Sequence, residues 1–362
     1  MKKVICVAAL GDYRIGVIRE LEKHVDDEFE IVAGTQPFDL SIKTLNRDQC
    51  EHVTFVDNCY LAGRRFMVQR GTFSTCMTAD KVVVDLNPRV LNVWLVLLLR
   101  RLSGKRSVVW GHAWPRSGPS SRSDKVRALL RNLAGTVVVY TESQVRELKE
   151  RFPRLRVIAA PNALYKAGDI LKLKEAVRNG KDVWDIVYVG RLVKEKKPAL
   201  LLGAFALALR DLPPQSRLLF VGDGPEADSL KAAARALGID QRVTFAGHVA
   251  GRERLQPIYQ RSLVSVSAGY VGLSITQSFS FGVPMLISKD EPHAPEIEAA
   301  VDGVNCEFFE TDSAEALAAG LLAFFRRKEI WLSRYDSILQ ECAERYSAEV
   351  MADRLLSVFG AG

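Results

Sequence analysis

Short buried strands that alternate with helices constrain the fold of this chain more than any other feature. Residues 81–86 (KVVVDL) and 135–141 (GTVVVYT) are runs of β-branched residues of strand length. Apolar residues at helical spacing follow other such runs, as in residues 15–24 and 198–209. This alternation predicts a mostly parallel, doubly wound α/β sheet. It occurs in both halves of the 362 residues, which are enough for two domains with separate cores.

Residues 163–182 separate the two halves. They are largely polar and rich in Lys, with little periodic burial, which is typical of an interdomain linker. We therefore expect an amino-terminal domain over residues 1–168 and a carboxyl-terminal domain over residues 182–345. Residues 330–359 contain two amphipathic helical stretches with no strand after them. We expect them to cross back, with a helix at about residues 346–362 packing on the first domain.

The formal net charge of +7 is unevenly distributed along the chain. Residues 1–180 hold 30 Lys and Arg against 19 Asp and Glu, and residues 181–362 hold 20 against 24. A basic amino-terminal half favours an anionic partner, such as an anionic membrane surface, a phosphorylated acceptor or nucleic acid. The chain has no helix-turn-helix, zinc, RRM or KH signature, so no nucleic-acid partner is predicted.

The apolar segments and the cysteines indicate a cytoplasmic protein. The apolar run near the amino terminus has only seven residues, which is too short for a secretory signal. No run approaches the length of a transmembrane helix. The six cysteines show no C-x-x-C spacing, so we expect reduced thiols and no metal site.

Residues 89–106 form an apolar segment that ends in basic residues. LNVWLVLLLRRL is apolar on nearly all sides, and Arg100, Arg101, Lys105 and Arg106 lie at its end. We favour a core helix whose basic carboxyl end complements the helix dipole. The alternative is a surface helix whose apolar side chains contact a membrane.

Residues 185–197 (DIVYVGRLVKEKK) place cations between a strand and a helix. A short buried-strand pattern ends at Gly190, and the apolar run 198–209 follows as a helix with Pro in its first turn. Arg191 and Lys196 therefore lie where open α/β sheets bind ligands. The two cations suit a phosphate or diphosphate, and Gly190 allows close approach of the backbone. The alternative is that they are solvated loop charges.

His112 follows the strand predicted at residues 107–110 and stands next to a glycine. A loop at that position could aim the imidazole into a crevice. A structural turn histidine is the alternative that the local sequence favours.

Three segments of the carboxyl-terminal half resemble one family. They are residues 189–205 (VGRLVKEKKPALLLGAF), 218–249 (LLFVGDGPEADSLKAAARALGIDQRVTFAGHV) and 263–288 (LVSVSAGYVGLSITQSFSFGVPMLIS). Their order and spacing resemble the family 4 glycosyltransferases of the GT-B fold, and the resemblance covers most of the chain. It implies two facing Rossmann-like domains, an acceptor held mainly by the first and a nucleotide-sugar donor held mainly by the second. It implies no metal and no cofactor, the nucleotide-diphosphate sugar being a co-substrate.

The resemblance assigns catalytic roles to three residues. Arg191 and Lys196 match the family's cation pair on the donor diphosphate, where they would neutralise charge that grows on the leaving group. His112 matches the histidine that points at the donor sugar and its phosphate. The other matching positions are expected to bind the donor: Gly11 and Gly190 in turns, Gly247, His248 and Val249 beside the nucleobase, Gly272, Leu273 and Ser274 in a glycine loop, and Gln277 at the ribose.

The chain departs from the family pattern at three positions. Gly269 and Gln277 stand where the family usually carries two glutamates eight positions apart. Gln277 can still hydrogen-bond a ribose hydroxyl, whereas Gly269 cannot replace a carboxylate at the sugar. His293, in H-A-P-E, replaces part of a glycine-rich turn. We favour a surface turn residue for His293, with a contact to the sugar as the alternative.

The resemblance, with which the cation pair and the basic amino-terminal half agree, therefore implies a retaining, metal-independent glycosyltransferase. It would move a sugar to a hydroxyl of a glycan acceptor, lipid-linked, in the synthesis of a bacterial-type surface polysaccharide such as O-antigen. The predicted location is cytoplasmic, with peripheral contact at the cytoplasmic face of the inner membrane. One alternative is a non-catalytic GT-B protein that binds an active glycosyltransferase. Another is a GT-B epimerase, which fits the fold but not the pattern of residues 263–288.

Overall fold

The computed structural model describes residues 1–40, 42–115, 118–119, 121–175 and 184–360. The chain divides into two compact units. Unit 1 comprises Met1–Lys166 with Tyr346–Gly362, and unit 2 comprises Ala167–Arg345.

Unit 1 contains a parallel sheet of seven strands and a separate antiparallel hairpin. The order in the sheet is β3-β2-β1-β6-β7-β8-β9. Its strands are β1 (Lys3–Val7), β2 (Phe29–Gly34), β3 (Val53–Val56), β6 (Lys81–Asp85), β7 (Ser107–Trp110), β8 (Gly135–Val139) and β9 (Arg156–Ala159), and the hairpin is β4 (Asn58–Leu61) with β5 (Phe66–Gln69).

Helices cover both faces of this sheet. Val82 and Val84 of β6 belong to one hydrophobic cluster, and Val83 belongs to the other. Burial on both faces explains why the strand reads as a continuous β-branched run. The helices of this part are α1 (Ile15–Glu22), α2 (Thr72–Thr78), α3 (Leu91–Leu102), α4 (Arg122–Ala134) and α5 (Glu142–Arg151).

Unit 2 contains a parallel sheet of six strands in the order β12-β11-β10-β13-β14-β15. The strands are β10 (Asp185–Val189), β11 (Arg217–Val221), β12 (Val243–Gly247), β13 (Ser262–Ser267), β14 (Met285–Ser288) and β15 (Cys306–Phe309). The helices are α6 (Ala167–Leu171), α7 (Pro198–Ala208), α8 (Ala227–Ala236), α9 (Arg252–Arg261), α10 (Ser274–Phe279), α11 (Ala314–Arg326), α12 (Lys328–Ser333) and α13 (Tyr335–Tyr346).

The last helix, α14 (Ala348–Gly360), belongs to unit 1. It packs on α1, and Phe359 meets Phe29 edge to face at 5.7 Å between ring centroids. Lys81 Nζ donates a hydrogen bond of 2.6 Å to the Phe359 carbonyl oxygen. The chain therefore returns to unit 1 at residue 346, whereas residues 330–345, which we also expected to cross back, stay in unit 2.

The predicted linker is partly helical. Residues 167–171 form α6 and residues 172–175 a 3-10 turn, and the side chains of Ile170 and Leu173 are buried. The prediction of little burial was therefore wrong for residues 167–175, because two apolar side chains anchor this segment to unit 2. Residues 176–183 of the predicted linker lie outside the described residues.

Helix α3, which we favoured as a core helix, belongs to the core on one face only. Val93, Val96, Leu97 and Arg100 are buried, while other leucines of the same helix are exposed. Arg100 lies inside the unit, where its guanidinium donates to the carbonyl oxygens of Cys76 and Ala79 at 2.8 and 2.6 Å. A strongly apolar helix is thus buried on one face only.

The six cysteines are free thiols, and all except the half-buried Cys59 are buried. In the part of the chain that the structure describes, each helix is too short or too polar to span a lipid bilayer.

Candidate functional site

Four glycines line the carboxyl edge of the unit 2 sheet, at or just after the ends of four neighbouring strands. They are Gly247, Gly222, Gly190 and Gly269, in the order of β12, β11, β10 and β13. Gly222 has φ 146°, and a Cβ there would lie 1.8 Å from the carbonyl oxygen of Gly190. Only glycine fits at this crossing, so the turns after β10 and β11 are locked together.

The turn after β10 carries the predicted cations. The Tyr188 hydroxyl donates a 2.7 Å hydrogen bond to the Arg191 carbonyl oxygen, and the Leu192 N–H donates to the Asp223 carbonyl oxygen at 2.9 Å. These bonds fix the backbone while the Arg191 residue remains exposed. Lys194–Lys196 then form a 3-10 turn that leads into α7.

Lys196, the second predicted cation, is half-buried at the end of this turn. Its Nζ donates to the Tyr270 carbonyl oxygen at 2.8 Å and lies 3.8 Å from the centroid of the Tyr270 ring. Burial, helped by the positive charge of Arg191 and opposed by Glu296, lowers the pKa of Lys196 to about 8. The electrostatic coupling shows that the structure brings Arg191 and Lys196 together.

Lys197 has a different role, although it is the next residue. It lies in the left-handed region with φ 50°, and its Nζ forms ion pairs with Glu291 at 2.5 Å and Asp312 at 2.6 Å. These two carboxylates raise the pKa of Lys197 despite the opposing effect of burial. Lys197 therefore anchors the turn to the segments that follow β14 and β15.

Gly269 packs against the cation-bearing turn. A Cβ at this position would lie 2.4 Å from the carbonyl oxygen of Glu195 and 2.9 Å from the Cα of Lys196. No side chain fits there unless the turn moves. The backbone of this turn therefore occupies the space that a carboxylate side chain at position 269 would need.

The glycine loop after β13 is held by His293. The Val271 N–H donates to His293 Nδ1 at 3.0 Å, and His293 Nε2 lies 3.0 Å from the Ser288 carbonyl oxygen. Since Nδ1 accepts, Nε2 carries the proton and donates. Burial lowers the pKa of His293, which keeps this neutral tautomer. The favoured assignment of His293 to a surface turn was wrong, because the residue is half-buried and bonded through both nitrogens.

The remaining donor positions of unit 2 lie on the same edge. Gly247 has φ 65°, and its carbonyl oxygen accepts from the Gly222 N–H at 2.8 Å; His248 next to it is exposed and Val249 is half-buried. Gly272 and Leu273 lead into α10, which begins at Ser274 and carries the half-buried Gln277. The predicted contacts of these residues with a nucleotide and a ribose stay predictions.

Two predicted residues, Gly11 and His112, belong to unit 1. Gly11 follows β1 with extended backbone, and a Cβ there would lie 2.4 Å from the Tyr13 ring. His112 is exposed after β7, and its ring meets the Tyr140 ring edge to face at 4.8 Å. Its carbonyl oxygen accepts a 2.9 Å hydrogen bond from Arg127. Its role at a donor sugar stays a prediction.

A polar cluster that we did not predict lies on the carboxyl edge of the unit 1 sheet. Arg14 donates to the Tyr140 hydroxyl at 3.1 Å and to Asn162 Oδ1 at 3.2 Å, and its guanidinium lies 4.6 Å from the Trp110 ring centroid. Among the described residues, Arg14 Nε and Trp110 Nε1 are buried without a hydrogen-bond partner. Polar residues just after strand ends, such as Tyr140 and Asn162, were the signal available in the sequence.

Asp85 completes this cluster at the end of β6. It accepts a hydrogen bond from the Ala8 N–H. Burial raises the pKa of Asp85 to about 6, although the Ala8 N–H and the charge of Arg14 act in the opposite direction. The carboxyl group therefore titrates just below neutral pH.

The family comparison matches unit 2. Residues 169–333 match the family model described as glycosyl transferases group 1. An uncharacterized glycosyltransferase of Haemophilus influenzae is 27% identical over 221 residues, which make up 58% of this chain and 58% of that protein. The chain thus spans less than two thirds of this relative. Both the cation-bearing turn and the glycine loop lie inside the region that matches the family model.

Solved structures match nearly the whole chain. Anabaena HepE in complex with UDP has a TM-score of 0.71 at 17% identity and covers 99% of this chain and 100% of its own. The protein has the GT-B fold. A Rickettsia africae glycosyltransferase has a TM-score of 0.72 at 12% identity, covering 99% and 97%. The lipopolysaccharide outer core galactosyltransferase WaaB, in its apo form, has a TM-score of 0.66 at 16% identity, covering 99% of each chain. The predicted α/β class with two Rossmann-like sheets is confirmed.

Proposed function

We propose that this protein is a glycosyltransferase that moves a sugar from a nucleotide-diphosphate sugar to a hydroxyl of a glycan acceptor. The observation that carries the proposal is the turn after β10, where the exposed Arg191 is electrostatically coupled to Lys196. A planar guanidinium and an ammonium together suit the oxygens of a diphosphate. The turn lies at the carboxyl ends of parallel strands, where ligands bind in open α/β sheets.

The proposed reaction retains the configuration of the anomeric carbon. The acceptor oxygen bonds to that carbon on the face from which the nucleoside diphosphate departs. The bond from the carbon to the diphosphate oxygen breaks, and a phosphate oxygen takes the acceptor proton. Arg191 and Lys196 stabilise the negative charge that grows on the leaving group. NMR of the product reads the anomeric configuration, and an inverted product would exclude this route.

We propose that the reaction needs no divalent metal, since the two cations already neutralise the diphosphate. Turnover should then be unchanged in EDTA. Activity that disappears in EDTA and returns with added magnesium would contradict this part of the proposal.

The proposed donor carries a uridine nucleotide. A protein of the same fold, Anabaena HepE, was solved with UDP. In this chain the segment Gly247, His248 and Val249 lies at the carboxyl end of β12, two strands from β10, and is the proposed contact of the base. Gln277 on α10 is the proposed contact of the ribose.

The proposed acceptor is a lipid-linked glycan of surface polysaccharide synthesis, bound by unit 1 at the cytoplasmic face of a membrane. The polar cluster of Arg14, Asp85, Tyr140 and Asn162 offers both donors and acceptors to sugar hydroxyls. The excess of basic residues in the first 180 residues suits a phosphorylated acceptor. The same fold occurs in a lipopolysaccharide outer core galactosyltransferase, which supports this acceptor class.

A thermal-shift screen against UDP, GDP, dTDP and ADP, with their sugars, tests the donor proposal. A nucleotide present at about 100 times its Kd should stabilise the folded chain by about 2.7 kcal/mol. We expect the shift with uridine nucleotides, and we expect Arg191→Ala to abolish it. Lys194→Ala is the matched control, because Lys194 is an exposed cation of the same turn. No shift with any nucleotide would overturn the proposal.

Turnover separates the enzyme from a non-catalytic binding partner. Arg191→Ala should lower kcat/KM by on the order of 100-fold, since it removes a charge that stabilises the transition state. A protein that binds the nucleotide through Arg191 but transfers no sugar to any glycan would be the non-catalytic alternative.

A further inference from the structure

Unit 1 exposes a continuous row of leucines on α3. Leu91, Leu95, Leu98 and Leu102 are exposed and follow one another at intervals of four, three and four residues. This spacing keeps them on one face of the helix over about 16 Å. Helix α4 packs against α3 and exposes two more apolar side chains. We call the row of Leu91, Leu95, Leu98 and Leu102 the leucine face, and the two exposed side chains on α4 are Val126 and Leu129.

The leucine face points away from the core of unit 1. The buried residues of α3 lie on the opposite side of the helix, and they are Val93, Val96, Leu97 and Arg100. The exposed row therefore contributes little to the packing of this unit. A row of large apolar side chains on a surface indicates a site that binds another protein or a membrane.

The exposed charged residues of α3 and α4 have one sign. Arg101 on α3 and Arg122 and Lys125 on α4 are exposed. Within α3 and α4, both of which the structure describes completely, Asp124 is the one acidic residue, and it is buried in an ion pair of 3.0 Å with Arg131. These two helices therefore have no exposed carboxylate that would repel an anionic partner.

A cavity of about 450 Å³ lies beside the carboxyl end of α3. Arg101 and Arg154 line it together with Asn132 and the residues around Pro153. It lies at the amino-terminal edge of the sheet, next to the start of β8, and so on the opposite edge from the polar cluster. Two guanidinium groups at its wall suit an anionic headgroup.

We infer that the leucine face docks on the surface of an anionic lipid bilayer. Leucines inserted at the headgroup boundary gain by leaving water, and the surrounding Arg and Lys side chains gain from anionic lipids. This inference rests on the proposed location at a membrane, but it does not depend on the proposed transferase activity. It is measured in the absence of donor and acceptor.

The charge pattern argues against a second copy as the occupant. A symmetric dimer would place the same patch of each copy against the other. Basic residues of one copy would then lie opposite basic residues of the other, and like charges repel. The residues concerned are Arg101, Arg122 and Lys125. An anionic bilayer offers the complementary charge.

Co-sedimentation with lipid vesicles tests the inference. The full chain should pellet with vesicles of phosphatidylcholine and phosphatidylglycerol and much less with phosphatidylcholine alone. Raising the salt from about 0.1 M to about 1 M shortens the Debye length from about 10 Å to about 3 Å and should weaken the binding. The substitution Leu95→Ser with Leu98→Ser should lower the partition by roughly tenfold or more.

A matched pair of substitutions provides the control. Leu207 and Leu237 of unit 2 are 55% and 51% exposed, against 48% and 45% for Leu95 and Leu98. Leu207→Ser with Leu237→Ser should leave vesicle binding unchanged. Removing charge with Arg122→Gln and Lys125→Gln should lower binding to the anionic vesicles by about fivefold for each residue.

Three results would overturn the inference. The wild-type chain could fail to pellet with anionic vesicles, or the control pair could lose as much binding as the leucine-face pair. Sedimentation velocity could also show a wild-type dimer that Leu95→Ser with Leu98→Ser dissociates, which would assign the face to a second copy. Far-UV circular dichroism of each variant establishes that the substitutions leave the fold intact.

Discussion

At the scale of single residues, three neighbouring lysines of one turn have three different environments. Lys194 is exposed, Lys196 is half-buried against Tyr270, and Lys197 is bound by two carboxylates. The sequence KEKK could not distinguish them, since Glu291 and Asp312 lie about a hundred residues further along the chain. The position of Lys196 between a strand and a helix indicated a phosphate or diphosphate ligand, and the family resemblance made this the donor diphosphate. The contacts of Lys196 could come only from the structure.

The lowered pKa of Lys196 predicts two opposite effects of alkaline pH. The usual pKa is 10.5, and that of Lys196 in the folded chain is about 8. Between these values the unfolded chain holds more protons, so the contribution of Lys196 to the free energy of unfolding rises with pH. A diphosphate binds the charged form, so its affinity should fall by up to about tenfold per pH unit above pH 8.

Titration calorimetry with UDP from neutral pH to about pH 10 measures the affinity. Lys196→Arg is the control, because its guanidinium stays charged over that range. A variant whose affinity falls as steeply as that of the wild type would show that another group causes the pH dependence.

At the scale of elements, the loop after β13 and the turn after β10 act as one packed unit. Gly269 lies against the backbone of Glu195 and Lys196, and Tyr270 accepts a hydrogen bond from Lys196. His293 holds the next residue, Val271, by its N–H. The position of the cations therefore depends on a contact between segments that are about seventy residues apart.

Gly269→Ala should displace the cation-bearing turn. The new Cβ would lie 2.4 Å from the Glu195 carbonyl oxygen, a contact with backbone that relaxes only if the turn shifts. We expect destabilisation of roughly 1–3 kcal/mol by urea denaturation, as for other overpacked sites. We also expect weaker binding of UDP in the same thermal-shift assay.

The matched control for this substitution is Gly203→Ala on α7. A Cβ at Gly203 meets no atom within 4 Å, and alanine favours a helix over glycine by roughly 1 kcal/mol. Gly203→Ala should therefore keep or raise stability and leave UDP binding unchanged. Equal effects of the two substitutions would show that the close contact at Gly269 does not position the turn.

The strands could be predicted from the sequence where the sheet buries their side chains on both of its faces. The strands β6, β8 and β10 are β-branched runs, and their order along the chain indicates a parallel sheet. The strand β15 and the hairpin of β4 and β5 were missed, since their residues are only partly buried and carry no such run. For α3 the composition predicted the helix but not its exposed face, because burial depends on what packs against it.

At the scale of the whole molecule, each unit has its own hydrophobic core and its own polar edge. The core of unit 2 is formed by residues 186–331, while one of the two clusters of unit 1 includes residues of α14. The family model matches unit 2, and the excess of basic residues lies in the first half of the chain. Sequence motifs therefore pointed to the edge of unit 2, whereas the only sequence signal for the polar cluster of unit 1 was single polar residues after strand ends, such as Tyr140 and Asn162.

This division predicts that substitutions in the two units affect different substrates. Asp85→Asn keeps an oxygen that can accept from the Ala8 N–H but removes the charge. It should raise the KM for the glycan acceptor by roughly tenfold, as expected when a charged hydrogen-bond partner is lost. The thermal shift with UDP should be unchanged, whereas Arg191→Ala should show the reverse pattern.

The pH dependence provides the control for Asp85. Its pKa of about 6 means that acidification through this value protonates the carboxylate, so the acceptor KM of the wild type should rise as the pH falls. Asp85→Asn cannot titrate, and its KM should be flat over the same range. If Asp85→Asn instead abolishes the thermal shift with UDP, or if its KM still depends on pH as in the wild type, the polar cluster of unit 1 is not the acceptor site. The assignment of the donor to unit 2 would then rest only on the effect of Arg191→Ala on the thermal shift with UDP.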